Sequence, residues 1–364
     1  METFDTVIIG GGASGLMLYK LLCGNNVIIE AGERVGKKLL ATGNGKCNLS
    51  NVSLSADKYN APDFVKPVID KFGFDWIVGT FKKIGVLTKT VDGRLYPYSE
   101  CASTVLNALR RGVNACVGYT ATEIKKDKNG YIVYMQGNCP KQVFCKNVVL
   151  ASGSKASFGI DSVNLFCAMG HTAKPFKPSL CPIKVLPTEI KGLGGVRAKA
   201  VLKCGEIAEK GELMFKDGGI VSGIAAFNVA SYIARGVYPD LSIDFMPEYT
   251  ISDVEKLSIN PDGIFHARLS ELIRQRAVGK SIGETIKNFK LTCLGLCDMN
   301  SAQVASGGLS LSEFDVDLQS RLHKGMYAIG EALDVDGICG GYNLSWAWAS
   351  AGKVAQKINF DRRL

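Results

Sequence analysis

The chain has three histidines, no C-x-x-C pair and no apolar run long enough to span a bilayer. Each shortage removes a class of function. So few histidines, with Cys293 and Cys297 as the nearest-spaced cysteines, leave no ligand set for a zinc site, and the expected metal content is none. Without C-x-x-C a disulfide reductase is disfavoured. The twelve cysteines are irregularly spaced through 364 residues, which reads as small buried apolar side chains in a reducing cytosol rather than a disulfide framework. The most apolar stretch, GIVSGIAAFNVASYIA, is short and carries Asn228, so no membrane association is expected. Strand-like sequence starts within a few residues of Met1, which leaves no room for a signal segment and gives a cytoplasmic expectation. The net charge of +9 is scattered, with no basic run or basic–aromatic interleaving. That argues against a nucleic-acid partner and suits solubility and attraction of small anions.

Glycine is abundant, and its placement is informative. In VIIGGGASGLMLYKLLCGNNVIIE, residues 7 to 30, a short apolar run is followed by Gly10, Gly12 and Gly15 in G-x-G-x-x-G spacing, then a helical stretch and a second apolar run ending in Glu30. Gly10 suits a tight turn, Gly12 close approach of a pyrophosphate, and Gly15 close packing of helix on strand. The helix start faces the phosphates. Glu30 lies where a carboxylate accepts hydrogen bonds from ribose hydroxyls, which favours FAD or NAD over NADP.

A polar, glycine-punctuated loop follows, AGERVGKKLLATGNGKCNLSN. Residues 62 to 84 read as helical, and DGRLYPYSECASTVLNALRRG as a turn followed by an amphipathic helix from about Ser103. ACVGYTATEI and GYIVYMQG alternate like hairpin strands, and QVFCKNVVLASG reads as a buried strand. From about Ser179 to Cys297 the pattern changes to short strands followed by helical stretches at about 251 to 259 and 265 to 277. The chain returns with MYAIGEALD, a strand, and GGYNLSWAWASAGKVAQ, a glycine pair opening a helix from about Asn343. Such a helix end stabilises negative charge on a flat ring, as a flavin requires and a nicotinamide does not.

Six segments together, VIIGGGASGLML, GKKLLATGNGKCNLSN, GRLYPYSECASTV, VVLASGSKAS, AQVASGGLSL and MYAIGEALDVDGICGGYNLSWAWASAG, resemble the BaiN/YhiN-like bacterial flavoproteins. That family is variously described as NAD(P)/FAD-dependent oxidoreductases, aminoacetone oxidase family FAD-binding enzymes and bile-acid dienone reductases. The resemblance implies an α/β fold: a Rossmann-type FAD-binding domain of the glutathione-reductase kind, split in sequence into 1–178 and 298–364, with an inserted β-rich plus helical substrate domain at 179–297.

The same resemblance implies which positions hold FAD. Gly10, Gly12, Ala13, Ser14 and Gly15 would bind the pyrophosphate and Glu30 the adenosine ribose. Lys38, Thr42, Gly43, Gly45, Cys47 and Asn48 would wrap the ribityl chain and a ring edge. Ala121 would meet the adenine through its backbone, and Ala151, Ser152 and Gly153 would pass near the pyrophosphate. Gly330, Glu331, Asp334, Gly341, Tyr342, Asn343 and Leu344 would close the site. Three departures stand out: Lys46 where the family usually has Arg, Ala151-Ser152-Gly153-Ser154 where it has A-T-G-G, and FKDGGIVSGIA, which lacks the family's histidine and proline.

The expected activity is hydride transfer between flavin N5 and a small organic substrate, of the ene-reductase or dehydrogenase kind. No second glycine turn follows a strand, so NAD(P)H would visit the ring transiently. The alternatives are an oxidase reoxidised by oxygen and a non-catalytic FAD-binding sensor or electron carrier, in either case as a monomer or a homodimer. Catalytic candidates are Arg94 and Lys216 for an anionic substrate and Tyr96 or Tyr98 as proton donor. Cys47 reads as loop packing rather than a redox thiol, and His171, Trp346 and Trp348 read as packing residues.

Overall fold

Residues 1–156, 162–236, 240–256 and 261–363 are described by a computed structural model. The chain divides into two compact units, 1–176 with 307–364, and 177–306. These divisions fall at 176/177 and 306/307, where the sequence pattern places them at 178/179 and 297/298.

The first unit is built on a sheet with a parallel centre. Strand Glu2–Ile9 pairs in parallel with Asn26–Glu30 on one side, Val7 opposite Val27, and with Lys141–Leu150 on the other, Val7 opposite Val148. Both faces of these strands are covered, so they are apolar without alternation: Val7, Ile8, Val27, Ile28, Val148 and Val149 are all buried. The order is completed by Ala115–Val117 outside Asn26–Glu30 and by Met326–Ala328 against the end of Lys141–Leu150. Residues from near the C-terminus therefore pair with a strand from the middle of the chain.

Several local expectations are revised. ACV is a separate parallel strand beside Asn26–Glu30, while Thr120–Asp127 and Gly130–Gln136 form the antiparallel hairpin. Residues 62 to 84 are two helices, Pro62–Ile69 and Phe74–Lys83, separated at Gly73, where an added Cβ would meet the Ile69 carbonyl oxygen at 2.5 Å. The turn before the helix Ala102–Arg110 is itself a hairpin, Thr88–Val91 with Arg94–Pro97, which pairs onward to Ser50–Asn51. Its first strand has no buried residue and its second turns only Leu95 and Pro97 inward, too short an alternation to mark a strand in sequence.

The second unit is an antiparallel sheet. Its strands run in the order Phe289–Leu291, Leu241–Asp244, Arg197–Cys204, Ile207–Lys216, Ile220–Ser222, Ile183–Val185 and Cys293–Leu296. The stretch GIVSGIAAFNVASYIA is a strand end and a buried helix, Ile224–Ala234, rather than one apolar run. Its small residues let it lie close on the sheet: a Cβ on Gly211 would come within 3.2 Å of the Ala225 nitrogen. Helices Ile251–Lys256, Ala267–Arg276 and Ile282–Lys287 follow, and residues 257–259 of the first expected helix lie outside the described residues. Among the described residues no helix is long and apolar enough to cross a membrane.

Candidate cofactor site

The glycine turn is dictated by space. Gly10 has φ +107°, and a Cβ there would meet the Ala151 carbonyl oxygen at 2.5 Å; a Cβ on Gly15 would overlap the Gly10 carbonyl. Gly12 is different, since no atom lies within 4 Å of the position its Cβ would take. It caps helix Ala13–Leu21, whose first internal bond runs from the Leu16 N–H to the Gly12 carbonyl at 3.0 Å. The amides of Ala13, Ser14 and Gly15 thus precede the ladder and have no acceptor within the helix. Ser14 also sets the far side of the site, because Gly330, at φ +62°, lies with its Cβ position 2.8 Å from the Ser14 Oγ.

Glu30 ends the second strand and folds back onto the turn. Its Oε2 accepts from the Gly11 N–H at 2.8 Å and its Oε1 from the Gly32 N–H at 2.7 Å. Each carboxylate oxygen keeps a lone pair for a further donor. The carboxylate therefore fixes the loop and still offers acceptors.

The loop 38–48 owes its path to left-handed residues. Gly43, Asn44, Gly45 and Cys47 all have positive φ, and no atom lies within 4 Å of a Cβ on Gly45. Cys47 is buried, and burial pushes its thiol up to about 12, so a thiolate does not form at neutral pH. Asn48 carries the most informative atom: its Oδ1 is buried with no hydrogen-bond partner among the described residues. Such an orphaned acceptor costs about 1–3 kcal/mol unless a donor arrives from outside the chain.

That acceptor lies beside the C-terminal helix, Tyr342–Asp361. A Cβ on Gly341 would fall 2.8 Å from Asn48 Oδ1 and 2.7 Å from the Ser50 carbonyl oxygen. Gly341 caps the helix in the left-handed region, and the first internal bond runs from the Ser345 N–H to the Gly341 carbonyl, so the amides of Tyr342, Asn343 and Leu344 precede it. The helix is pinned by two tryptophans that sequence reading assigns to packing and by two serines to which it gives no role. Trp346 Nε1 donates to the Gly330 carbonyl, Trp348 Nε1 to the Leu49 carbonyl, and the Ser345 and Ser350 hydroxyls engage Ser50 Oγ and the Gly330 N–H. The signal available was Trp and Ser at helical spacing facing a glycine-rich turn.

Other expected cofactor positions have more constrained roles. Lys38 and Glu331 form an ion pair at 3.4 Å. Thr42 donates through Oγ1 to the Leu39 carbonyl, leaving its β-region backbone to turn the loop. Asp334 is buried, with Oδ1 accepting from the Gly307 N–H and Oδ2 paired with Lys174 at 2.8 Å. Asn343 clasps Gly337, donating to its carbonyl at 2.8 Å and accepting from its N–H at 2.9 Å. The side chains of Asp334 and Asn343 are thus engaged within the protein. Ala151 continues the central strand, its N–H donating to Ile9; Ser152 Oγ accepts from the Ser162 N–H, and Gly153 has φ +68°. Ala121 is buried in the hairpin beside a bulge.

Among the catalytic candidates, Arg94 and Tyr96 are half-buried on one strand of the small sheet, Arg94 opposite Asn51. Asn51 donates through Nδ2 to the Gly340 carbonyl at 3.0 Å, which links that strand to the glycine pair. Tyr98 is exposed, its ring under Lys89. Lys216 is exposed at the end of a strand in the second unit. Lys46 pairs with Glu100 at 2.7 Å, and together with Lys89 it holds the Glu100 carboxyl down at about 2. His171 is buried; its Nδ1 bonds Glu313 and its Nε2 bonds Ser320, and its ring stacks on Phe314. Among the described residues no cluster of His, Cys, Asp or Glu could hold a metal ion.

Comparison with known proteins agrees with this architecture. The chain is 35% identical to a 3-dehydro-bile acid delta(4,6)-reductase of Clostridium scindens over 96% of its own length and 98% of the relative's. It is 26% identical to a ribosomal RNA dihydrouridine synthase of Escherichia coli, with 98% of each covered. A 3-ketosteroid-delta4-(5alpha)-dehydrogenase from Rhodococcus jostii shares the fold at 12% identity and a TM-score of 0.50, with 98% of this chain and 97% of that one covered. The HI0933-like Rossmann-domain model matches residues 4–357, and the chain belongs to that family.

Proposed function

We propose that the chain is an FAD-dependent oxidoreductase that saturates a carbon–carbon double bond next to a carbonyl in a small organic molecule, with NADH or NADPH as a transient electron source. The observation that carries the reading is the unpartnered Asn48 Oδ1 beside the N-terminus of helix Tyr342–Asp361, and with it the open space at Gly12, which caps the other helix, and at Gly45. These groups fit FAD. The amides of Ala13, Ser14 and Gly15 suit a pyrophosphate and Glu30 the ribose hydroxyls. Asn48 offers an acceptor to a ring N–H, and the amides of Tyr342, Asn343 and Leu344 suit negative charge on the ring. When bound, FAD supplies two-electron chemistry at N5.

In this reading 1–176 with 307–364 holds the cofactor. Arg94 orients the substrate carbonyl and Tyr96 holds the proton that completes saturation. The choice of reaction is supported by two relatives whose names each describe saturation of a carbon–carbon double bond, one in a bile acid and one in uridine of ribosomal RNA. The second name favours one other acceptor, a uridine in RNA.

The test is the absorbance spectrum of purified protein, followed without oxygen after NADH or NADPH is added. A flavin band that bleaches, then recovers when a cyclic enone is supplied, supports the reading; recovery only with uridine-containing RNA moves the substrate to nucleic acid. A flavin that stays oxidised points to an oxidase fed by its substrate or to a non-catalytic flavoprotein. Protein purified without flavin and unable to take it up rejects the cofactor assignment.

A further inference from the structure

The loop 334–341, which delivers the chain to the C-terminal helix, contains little regular structure, yet its position sets where the helix's first amides point. It is held by a short segment far away in sequence. Asn60 bonds it three times: Nδ2 donates to the Asp334 carbonyl at 3.0 Å, Oδ1 accepts from the Asp336 N–H at 2.8 Å, and its own N–H donates to the Asp336 carbonyl at 3.1 Å. One residue earlier, Tyr59 donates its hydroxyl to the Tyr342 carbonyl at 2.7 Å, and Lys58 accepts from the Ile338 N–H at 3.0 Å.

The ring of Tyr59 also fixes the shape of the loop. A Cβ on Gly337 would lie 3.1 Å from that ring and 2.9 Å from the Tyr342 Cβ, so the backbone at 337 is held between two tyrosines. Asn343 clasps Gly337 as well. The loop is therefore bonded along its length by residues 58–60 and at its far end by the first turn of the helix it starts.

We infer that Tyr59 and Asn60 are positioning residues for the bound cofactor, acting through the 334–341 loop to aim the Tyr342, Asn343 and Leu344 amides. This rests on the FAD reading above. Asn60 is solvent-exposed, so replacing it leaves no core cavity. Tyr59 is buried, and loss of its hydroxyl alone keeps its packing.

The experiment compares wild type, Asn60→Leu and Tyr59→Phe, all loaded with FAD, by the dissociation constant of FAD and the midpoint potential of the bound flavin. Asn60→Leu is expected to weaken FAD several-fold and at most about tenfold, because the two lost side-chain hydrogen bonds hold the loop and reach the cofactor only through the helix amides. Its potential moves to more negative values, because a displaced helix N-terminus stabilises negative charge less well. Tyr59→Phe shifts both in the same direction by less. Wild-type affinity and potential in both variants would overturn the inference and leave the cofactor reading intact. A wild-type protein that takes up no FAD would instead overturn the reading beneath it.

Discussion

Gly12 and Gly15 stand three residues apart on the same turn, and space treats them oppositely: a Cβ on Gly15 would overlap the Gly10 carbonyl, while a Cβ on Gly12 would touch nothing within 4 Å. This separates folding from binding. Gly12→Ala, at φ −79°, should lower the stability of the apoprotein by less than about 1 kcal/mol. FAD retention should nevertheless fall sharply, because the methyl enters the space assigned to the pyrophosphate. Gly15→Ala should destabilise the apoprotein by about 2 kcal/mol or more. Urea melts and flavin content of both variants, measured side by side, check the contrast; equal FAD occupancy in Gly12→Ala and wild type would remove the pyrophosphate from this turn.

At the other helix, Gly341→Ala adds a methyl at φ +100°, 2.7 Å from the Ser50 carbonyl oxygen. Strain and overlap act together here, so loss of stability by about 2 kcal/mol or more is expected along with loss of flavin. Thermal melts with and without added FAD would show it, with the ligand-induced rise in Tm nearly abolished.

Asn48→Leu removes the orphaned acceptor and puts an apolar side chain of similar size in its place. Apoprotein stability should hold or rise slightly, since an unsatisfied buried oxygen disappears, and FAD affinity should drop about tenfold or more. A variant that loses stability without losing affinity would mean that Oδ1 has a partner within the chain.

His171 gives a pH dependence of fixed sign. Burial holds its imidazole below the ordinary value of 6.5, against the opposing pull of Glu313. The folded state therefore binds fewer protons than the unfolded state as pH falls through 6.5. Stability from this site is present above that pH and is lost below it. Urea midpoints at pH 7.5 and 5.5 should differ in this direction, and His171→Gln should flatten the difference. An unchanged slope in the variant would assign the pH dependence to other groups.

Thiol labelling should be ordered by environment. Cys101 is exposed and lowered by hydrogen bonds from Ser103, so it should react with iodoacetamide ahead of exposed Cys23 and Cys139. Cys47 and Cys145, both raised to about 12 by burial, should label only on unfolding. Mass spectrometry of peptides over a time course reads the order directly; early labelling of Cys47 would restore it as a redox candidate.

The parts of the fold that could be read in sequence are those with a strong local cause. The strand, turn and helix around Gly10 follow from one apolar run, one spacing and one period, and the glycine pair at 340 and 341 announces a helix start for the same reason. The hairpin 88–97 escaped because each strand is only 4 residues long and the first buries none of them. The helix 224–234 escaped because small residues on all sides remove the contrast on which a helical period depends. In the site, the turns at Gly12 and Gly341 follow from glycine spacing, whereas the partners of the Asn343 and Asp334 side chains, Gly337, Gly307 and Lys174, could not be read from sequence. Those partners are set by the path of the loop, and no spacing rule encodes it. Asn60 was silent for the same reason.

The parallel pairing of Met326–Ala328 with Val148–Leu150 has a consequence for the order in which the protein is made. When residue 176 leaves the ribosome, strand Lys141–Leu150 still lacks its neighbour and the loop 38–48 lacks the helix beside it. At about 5–20 residues per second, synthesis of 177–306 alone takes on the order of ten seconds. Throughout that interval the apolar edge at Val148–Leu150 has no native partner strand to pair with, so this part of the sheet is completed only after the intervening unit has been made.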